Sequence, residues 1–121
     1  MEQLEIIAAE GNNGARILCL QGSLTLRTIS DFETIARQQG DSPLIIDLSG
    51  VQYVDSAGLG AVLGRFISAQ RKLTDFAVAG ATADRVRILF QVTRIGDFLP
   101  SYATVAEAEA SLANAAKRLT D

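Results

Sequence analysis

The chain has no histidine and no tryptophan, one cysteine (Cys19) and two prolines (Pro43 and Pro100). Without histidine, the Ser-His and Cys-His pairs that activate most nucleophiles cannot form, and a zinc site loses its commonest nitrogen ligand. A single cysteine excludes an intrachain disulfide; Cys19 lies in an apolar strand pattern and reads as a buried structural thiol. Positive charge is also short: 11 Lys and Arg stand against 14 Asp and Glu, for a net charge of −3. A nucleic-acid binder would carry a basic stripe. Arg85, Arg87 and Arg94 are loosely grouped, but Asp84 and Asp97 sit among them, so no direct nucleic-acid partner is expected. No apolar run reaches the ~18 residues of a membrane span, and the start Met1-Glu2-Gln3-Leu4 lacks the basic-then-apolar form of a signal peptide. A cytoplasmic protein with no membrane partner, monomeric when free, is expected.

What is present is an ordinary globular mix, 48% apolar and 21% charged over 121 residues. That length suits one domain over 1–121, burying roughly two-thirds of its unfolded surface. A core of that size needs no metal, cofactor or disulfide.

The patterning alternates strands with helices. Leu4 to Glu10 and Ala15 to Gln21 read as strands joined through Gly11-Asn12-Asn13-Gly14, an antiparallel hairpin. Ser30-Asp31-Phe32-Glu33 has the form of a capping box, with Ile29, Phe32, Ile35 and Ala36 at helical spacing and Gly40 as the stop. Pro43 to Leu48 is a short apolar strand suited to a central position. A loop over Ser49 to Asp55 leads to a helix from about Ala57 to Lys72, with Leu59, Val62, Leu63, Phe66 and Leu73 on one face and Arg65, Ser68 and Lys72 on the other. Asp75 to Gly80 is a strand. Ala83 to Thr93 is a helix with Val86, Leu89 and Phe90 inward. Phe98 to Tyr102 holds a short strand that Pro100 restricts to an edge. The last helix, about Val105 to Leu119, carries Val105, Ala108, Leu112, Ala115 and Leu119 in one stripe. Alternation of this kind implies parallel crossovers and an α/β fold.

The informative segment is Leu44 to Gly64, LIIDLSGVQYVDSAGLGAVLG. Gly58 and Gly60 fall in the first turn of a helix, where glycine is costly and needs a reason. A dinucleotide fingerprint would place its glycines in an immediate strand-to-helix turn; these lie about ten residues past the strand. A nucleophile elbow wants glycine two before and two after the serine; Ser56 has Gly58 after it but Val54 before it, and no histidine base exists. No enzymatic activity is therefore expected. Two readings stay open on the residues alone. Ser56 caps the helix, or small side chains leave Ser56 and the backbone open to a visiting protein.

The same stretch, with Asp47, Asp55, Ser56, Gly58, Leu59 and Gly60, resembles the signature of the STAS domain family, and within it the bacterial anti-sigma factor antagonists. The strand ending at Gly22, the strand Ala77-Val78-Ala79-Gly80 and the helix holding Val86 and Leu89 follow in the same order. The resemblance implies a small mixed sheet of four to five strands with about four helices packed mainly on one side. It implies that Ser56 is phosphorylated by a cognate serine kinase that is also the anti-sigma factor. The unphosphorylated protein would bind that kinase and release a sigma factor, and a metal-dependent phosphatase would reverse the modification. Partner contacts would come from Asp55, Ala57, Gly58, Leu59 and Gly60, with Ser23, Thr25, Ala81 and Thr82 on neighbouring loops. One departure is Thr25, where the family usually carries Asp; threonine keeps a hydrogen bond but not the charge. The competing expectation is a constitutive STAS adaptor in a lipid-transport or stress-signalling assembly.

Overall fold

The hairpin forms as its turn residues dictate. β1 (Leu4–Glu10) pairs antiparallel with β2 (Arg16–Leu24), placing Leu4 opposite Gly22 and Glu10 opposite Arg16. Asn13 and Gly14 take the left-handed backbone (φ 59° and 78°) that the reversal requires. The remaining elements are α1 (Ile29–Gln38), β3 (Leu44–Val54), α2 (Ser56–Lys72), β4 (Phe76–Ala79), α3 (Asp84–Thr93), β5 (Ser101–Tyr102) and α4 (Val105–Thr120). This computed structural model describes residues 3–120, with side chains in α4 described as far as Ala113. Ala115 and Leu119 of the expected terminal stripe lie outside the described side chains. No helix among the described residues is long and apolar enough to cross a membrane.

The strands form one sheet in the order β1-β2-β3-β4-β5, parallel from β2 onward. Each crossover steps to the next strand in the same direction, so crossovers of one hand put their helices on one face. That face holds the larger core: Leu18, Ile46 and Val78 of the sheet pack with Phe32 of α1, Val62 of α2 and Val86 of α3, all essentially without solvent contact. The other face is thinner. Ile17, Ile45, Ala77 and Ala79 meet Ala108 of α4, and the small side chains let that helix lie close. Glu109 of α4 also accepts a hydrogen bond from the Asn12 amide (2.9 Å), tying the helix to the hairpin turn. The mixed five-stranded sheet with three of four helices on one side matches the expected fold class.

Several boundaries differ from the sequence reading. The largest concerns Ser49 to Asp55, expected as a loop. β3 runs straight through to Val54, paired with β2 out to Leu24. Two register shifts permit this: β3 carries one extra residue between the partners of Cys19 and Gln21, and another between those of Gly22 and Ser23. Such bulges change which side chains face inward. On the face of the larger core the buried residues therefore run Leu44, Ile46, Leu48 at spacing two, then Val51 and Val54 at spacing three, while Ile45 is buried on the other face. Asp47 is accordingly inside the strand rather than at its end, and its Oδ1 accepts from the Ser49 amide (3.0 Å) at the first shift.

Cys19 is half-buried opposite Asp47. Burial, then the charge and hydrogen bonding of Asp47, push its thiol pKa upward, which keeps it protonated and unreactive near neutral pH.

At the start of α1, Ser30 does not build a capping box. It lies inside the helix, and its carbonyl accepts from Thr34 Oγ1. Thr28 stands at the helix boundary and uses its hydroxyl on the preceding turn, accepting from the Thr25 amide and donating to the Ser23 carbonyl, both at 2.9 Å. Leu73 leaves the α2 stripe because it sits one residue past the helix in the left-handed region (φ 58°) and is 93% exposed. Arg65 and Ser68, expected on the outer face of α2, are half-buried against α1, lining a cavity with Ala36 and Arg37.

Candidate functional site

Both Asp55 and Ser56 are good helix-capping residues, and the structure gives the role to Asp55. Asp55 has extended backbone, and its Oδ1 accepts from the Gly58 amide at 2.8 Å. Its Oδ2 accepts from the Leu26 amide at 3.1 Å, so one carboxylate fastens the start of α2 to the turn between β2 and α1. The Asp55 amide donates to the Leu24 carbonyl (3.3 Å) in the same junction. Ser56, relieved of capping, is the first helical residue and is exposed.

Gly58 explains one of the two costly glycines. A Cβ built there would lie 2.0 Å from the Leu24 carbonyl oxygen. The first turn of α2 thus rests directly on the backbone at the end of β2, and only glycine permits the approach. Gly60 has nothing within 4 Å of its Cβ position and faces solvent.

The hollow beside Ser56 is formed by three elements. β3 supplies Tyr53, the start of α2 supplies Asp55, and α3 contributes Arg85, Ile88 and Val92. Tyr53 is 39% exposed, Ile88 49% and Val92 75%, so an apolar floor lies open next to a serine hydroxyl. Leu26, 71% exposed, flanks Asp55 on the other side.

The expected contact residues divide into groups. Asp55, Ser56, Ala57 and Gly60 lie together at the helix start with some surface open. Gly58 and Leu59 are buried, as is Thr25 at 1%, so these three shape the site from beneath instead of presenting side chains. Thr25 Oγ1 accepts from the Arg27 amide (3.3 Å), which makes it a turn residue. Ser23 is half-buried in β2 opposite Tyr53, its amide held by the Gln3 carbonyl. Ala81 and Thr82 do not join the hollow around Ser56. β4 ends at Ala79, in register with Asp47, and β3 continues seven residues beyond that level before Ser56 is approached. Ala81 lines a separate hollow with Phe90, Arg94 and Ser101.

Sequence reasoning missed Tyr53, Arg85, Ile88 and Val92. The signal on α3 was its second face: Arg85, Ile88 and Val92 follow at i, i+3 and i+7, off the inward stripe of Val86 and Phe90.

A sequence model of the STAS domain matches residues 7–108. The chain belongs to the STAS family. Among curated STAS relatives, the anti-sigma-B factor antagonist of Staphylococcus aureus is 28% identical over 81 residues, covering 64% of this chain and 74% of that protein. A solved anti-sigma factor antagonist from Mycobacterium paratuberculosis superposes with a TM-score of 0.81 at 23% identity, covering 91% of this chain and 94% of the other. A sulfate transporter family protein from Wolinella succinogenes shares the same STAS fold, with a TM-score of 0.74 at 14% identity and coverage of 90% and 92%.

The Asp55 clamp can be tested within this STAS domain without any partner. Asp55→Ala leaves the Gly58 and Leu26 amides without their acceptor and removes the cap. The expected loss is about 2 kcal/mol in urea unfolding, with Asp55→Asn in between, since one amide oxygen can replace only one of two acceptors. A loss for Asp55→Ala within the range of an ordinary surface change, about 0.5 kcal/mol, would show that the clamp does not hold the helix start.

Proposed function

We propose that this protein is an anti-sigma factor antagonist. In this reading it binds a serine kinase that is also the anti-sigma factor through the surface around Ser56, frees a sigma factor, and is switched off when Ser56 is phosphorylated. The observation that carries the reading is the exposed Ser56 hydroxyl, held on a clamped helix start beside an open apolar hollow. The names of its relatives in Staphylococcus aureus and Mycobacterium paratuberculosis support it.

The chemistry is a phosphoryl transfer. Ser56 Oγ attacks the γ-phosphorus of ATP, the bond to the β,γ-bridging oxygen breaks, ADP departs, and the hydroxyl proton passes to a base on the kinase. Asp55 is poorly placed to be that base, because both its oxygens accept from backbone amides. A metal-dependent phosphatase would hydrolyse the ester and restore the hydroxyl.

A second reading is a constitutive adaptor in a transport or stress-signalling assembly. It is favoured by Thr25 in place of the usual Asp and by the same fold in a transporter family protein. The deciding experiment incubates the protein with each candidate kinase of the source genome and Mg-ATP, then measures intact mass. The expected result is a gain of one phosphate that Ser56→Ala abolishes. Labelling that survives Ser56→Ala, or no labelling by any kinase, overturns the switch and leaves the adaptor reading.

A further inference from the structure

We propose that Arg85 is the built-in counter-ion of phosphorylated Ser56, bridging the apolar hollow once the phosphate is in place. The proposal rests on the reading of Ser56 as a phosphoacceptor and adds what the modified side chain meets on its own protein.

Three arginines lie on or just after α3, and their surroundings differ. Arg87 pairs with Asp84 at 3.4 Å, and Arg94 pairs with Asp97 at 3.1 Å. Arg85 is exposed, has no carboxylate partner among the described residues, and lines the same hollow as Ser56. The other titratable groups of that hollow are Tyr53 and Asp55. Asp55 does not claim the guanidinium, because the Gly58 and Leu26 amides hold its two oxygens. Arg27, on the turn beyond Asp55, lines a different hollow with Glu5 and Asp31. Among the described residues that line the hollow with Ser56, Arg85 is the one cation, and it has no ion-pair partner in the unmodified protein.

A phosphate on Ser56 changes this balance. It adds a charge of about −1.5 to −2 next to the Asp55 carboxylate. The first amides of α2 favour an anion, and Arg85 offers planar paired donors suited to phosphate oxygens. Tyr53, Ile88 and Val92 form the floor under that span. An Arg85–phosphate bridge would cover this floor, so the modified form would lose its open apolar surface as well as gain charge.

The test installs phosphoserine at position 56 of the full chain during translation, so no kinase is needed. The second pKa of the phosphate, normally about 6, is followed by phosphorus NMR. Arg85 favours the dianion and lowers that pKa, so Arg85→Gln raises it by about 0.2–0.7 unit at low salt. The difference shrinks as salt is added, and Arg85→Lys retains most of the parent value. Arg94→Gln removes the same charge from a different hollow and leaves the titration unchanged. The proposal is overturned if Arg85→Gln superimposes on the parent, or if Arg94→Gln shifts the phosphate as much. Kinase labelling and this titration fail independently: the first concerns who modifies Ser56, the second what the phosphate touches.

Discussion

Gly58→Ala is expected to lower the unfolding free energy by about 3 kcal/mol, while Gly60→Ala, two residues along, raises it by about 0.5–1 kcal/mol. The opposite signs follow from where each missing methyl would go. At Gly58 it meets the Leu24 carbonyl oxygen at 2.0 Å and the carbonyl carbon at 2.7 Å. Both are backbone atoms and cannot rotate away. The same Leu24 oxygen accepts from the Asp55 amide, so pushing the strand back loosens the capped junction too. The cost should exceed ordinary overpacking of a flexible side chain. At Gly60 the methyl points into open solvent, and only the gain of alanine over glycine in a helix is felt. Urea unfolding of both variants at constant m-value reads the difference. A Gly58→Ala protein within about 1 kcal/mol of the parent, well short of that overpacking cost, would mean that α2 can lift off β2. In that case Ser56 is not held on a fixed base.

Much of the frame was legible because its signals are local. The Asn-Gly turn marked the hairpin, and apolar spacing marked α1, α2 and α3 and most of the residues they bury, although Leu73 falls outside α2 and Arg65 and Ser68 pack towards α1. The strand Pro43 to Leu48 was read short for a physical reason. Beyond Leu48 the two register shifts lengthen the inward spacing from two residues to three, and Leu48, Val51 and Val54 do not look like a strand to a period-two reading. The extension matters, since it carries the chain to the level where Asp55 and Ser56 emerge. Their division of labour was also illegible: Asp and Ser cap equally well, and which one does so depends on the Leu26 and Gly58 amides, set by tertiary contact. The hollow is a purely tertiary object. Tyr53 and Arg85 are 32 residues apart in the sequence, and α3 meets β3 only through the sheet order. Ala81 and Thr82 were expected at the site because they follow a neighbouring strand. β4 is short, and its end stops well below that of β3.

Phosphorylated Ser56 should bind the kinase at least about 100-fold more weakly than the unmodified protein, yet change the domain's own stability by less than about 1 kcal/mol. The stability half follows from exposure. Ser56 is already in solvent at the first position of α2, so a phosphate there is not desolvated by folding. The helix start favours it by roughly 0.3–1 kcal/mol and the solvent-exposed Arg85 bridge by about 0.2–1 kcal/mol, while the Asp55 carboxylate beside it opposes by a comparable amount through water. The binding half follows from the hollow. A partner seated on Tyr53, Ile88 and Val92 must strip water from whatever Ser56 carries. A hydroxyl gives up little, whereas a phosphate bridged to Arg85 keeps that floor covered, and a partner that breaks the bridge to reach it leaves a buried charge unpaired at about 2–5 kcal/mol. At 1.4 kcal/mol per tenfold, about 2.8 kcal/mol, inside that range, gives the expected loss. Calorimetric titration of the kinase with both forms, beside urea unfolding of each, separates the two halves. Equal affinities would remove the switch from this surface. Unfolding of the phosphorylated form would move the effect from recognition to the fold, against the solvent position of Ser56.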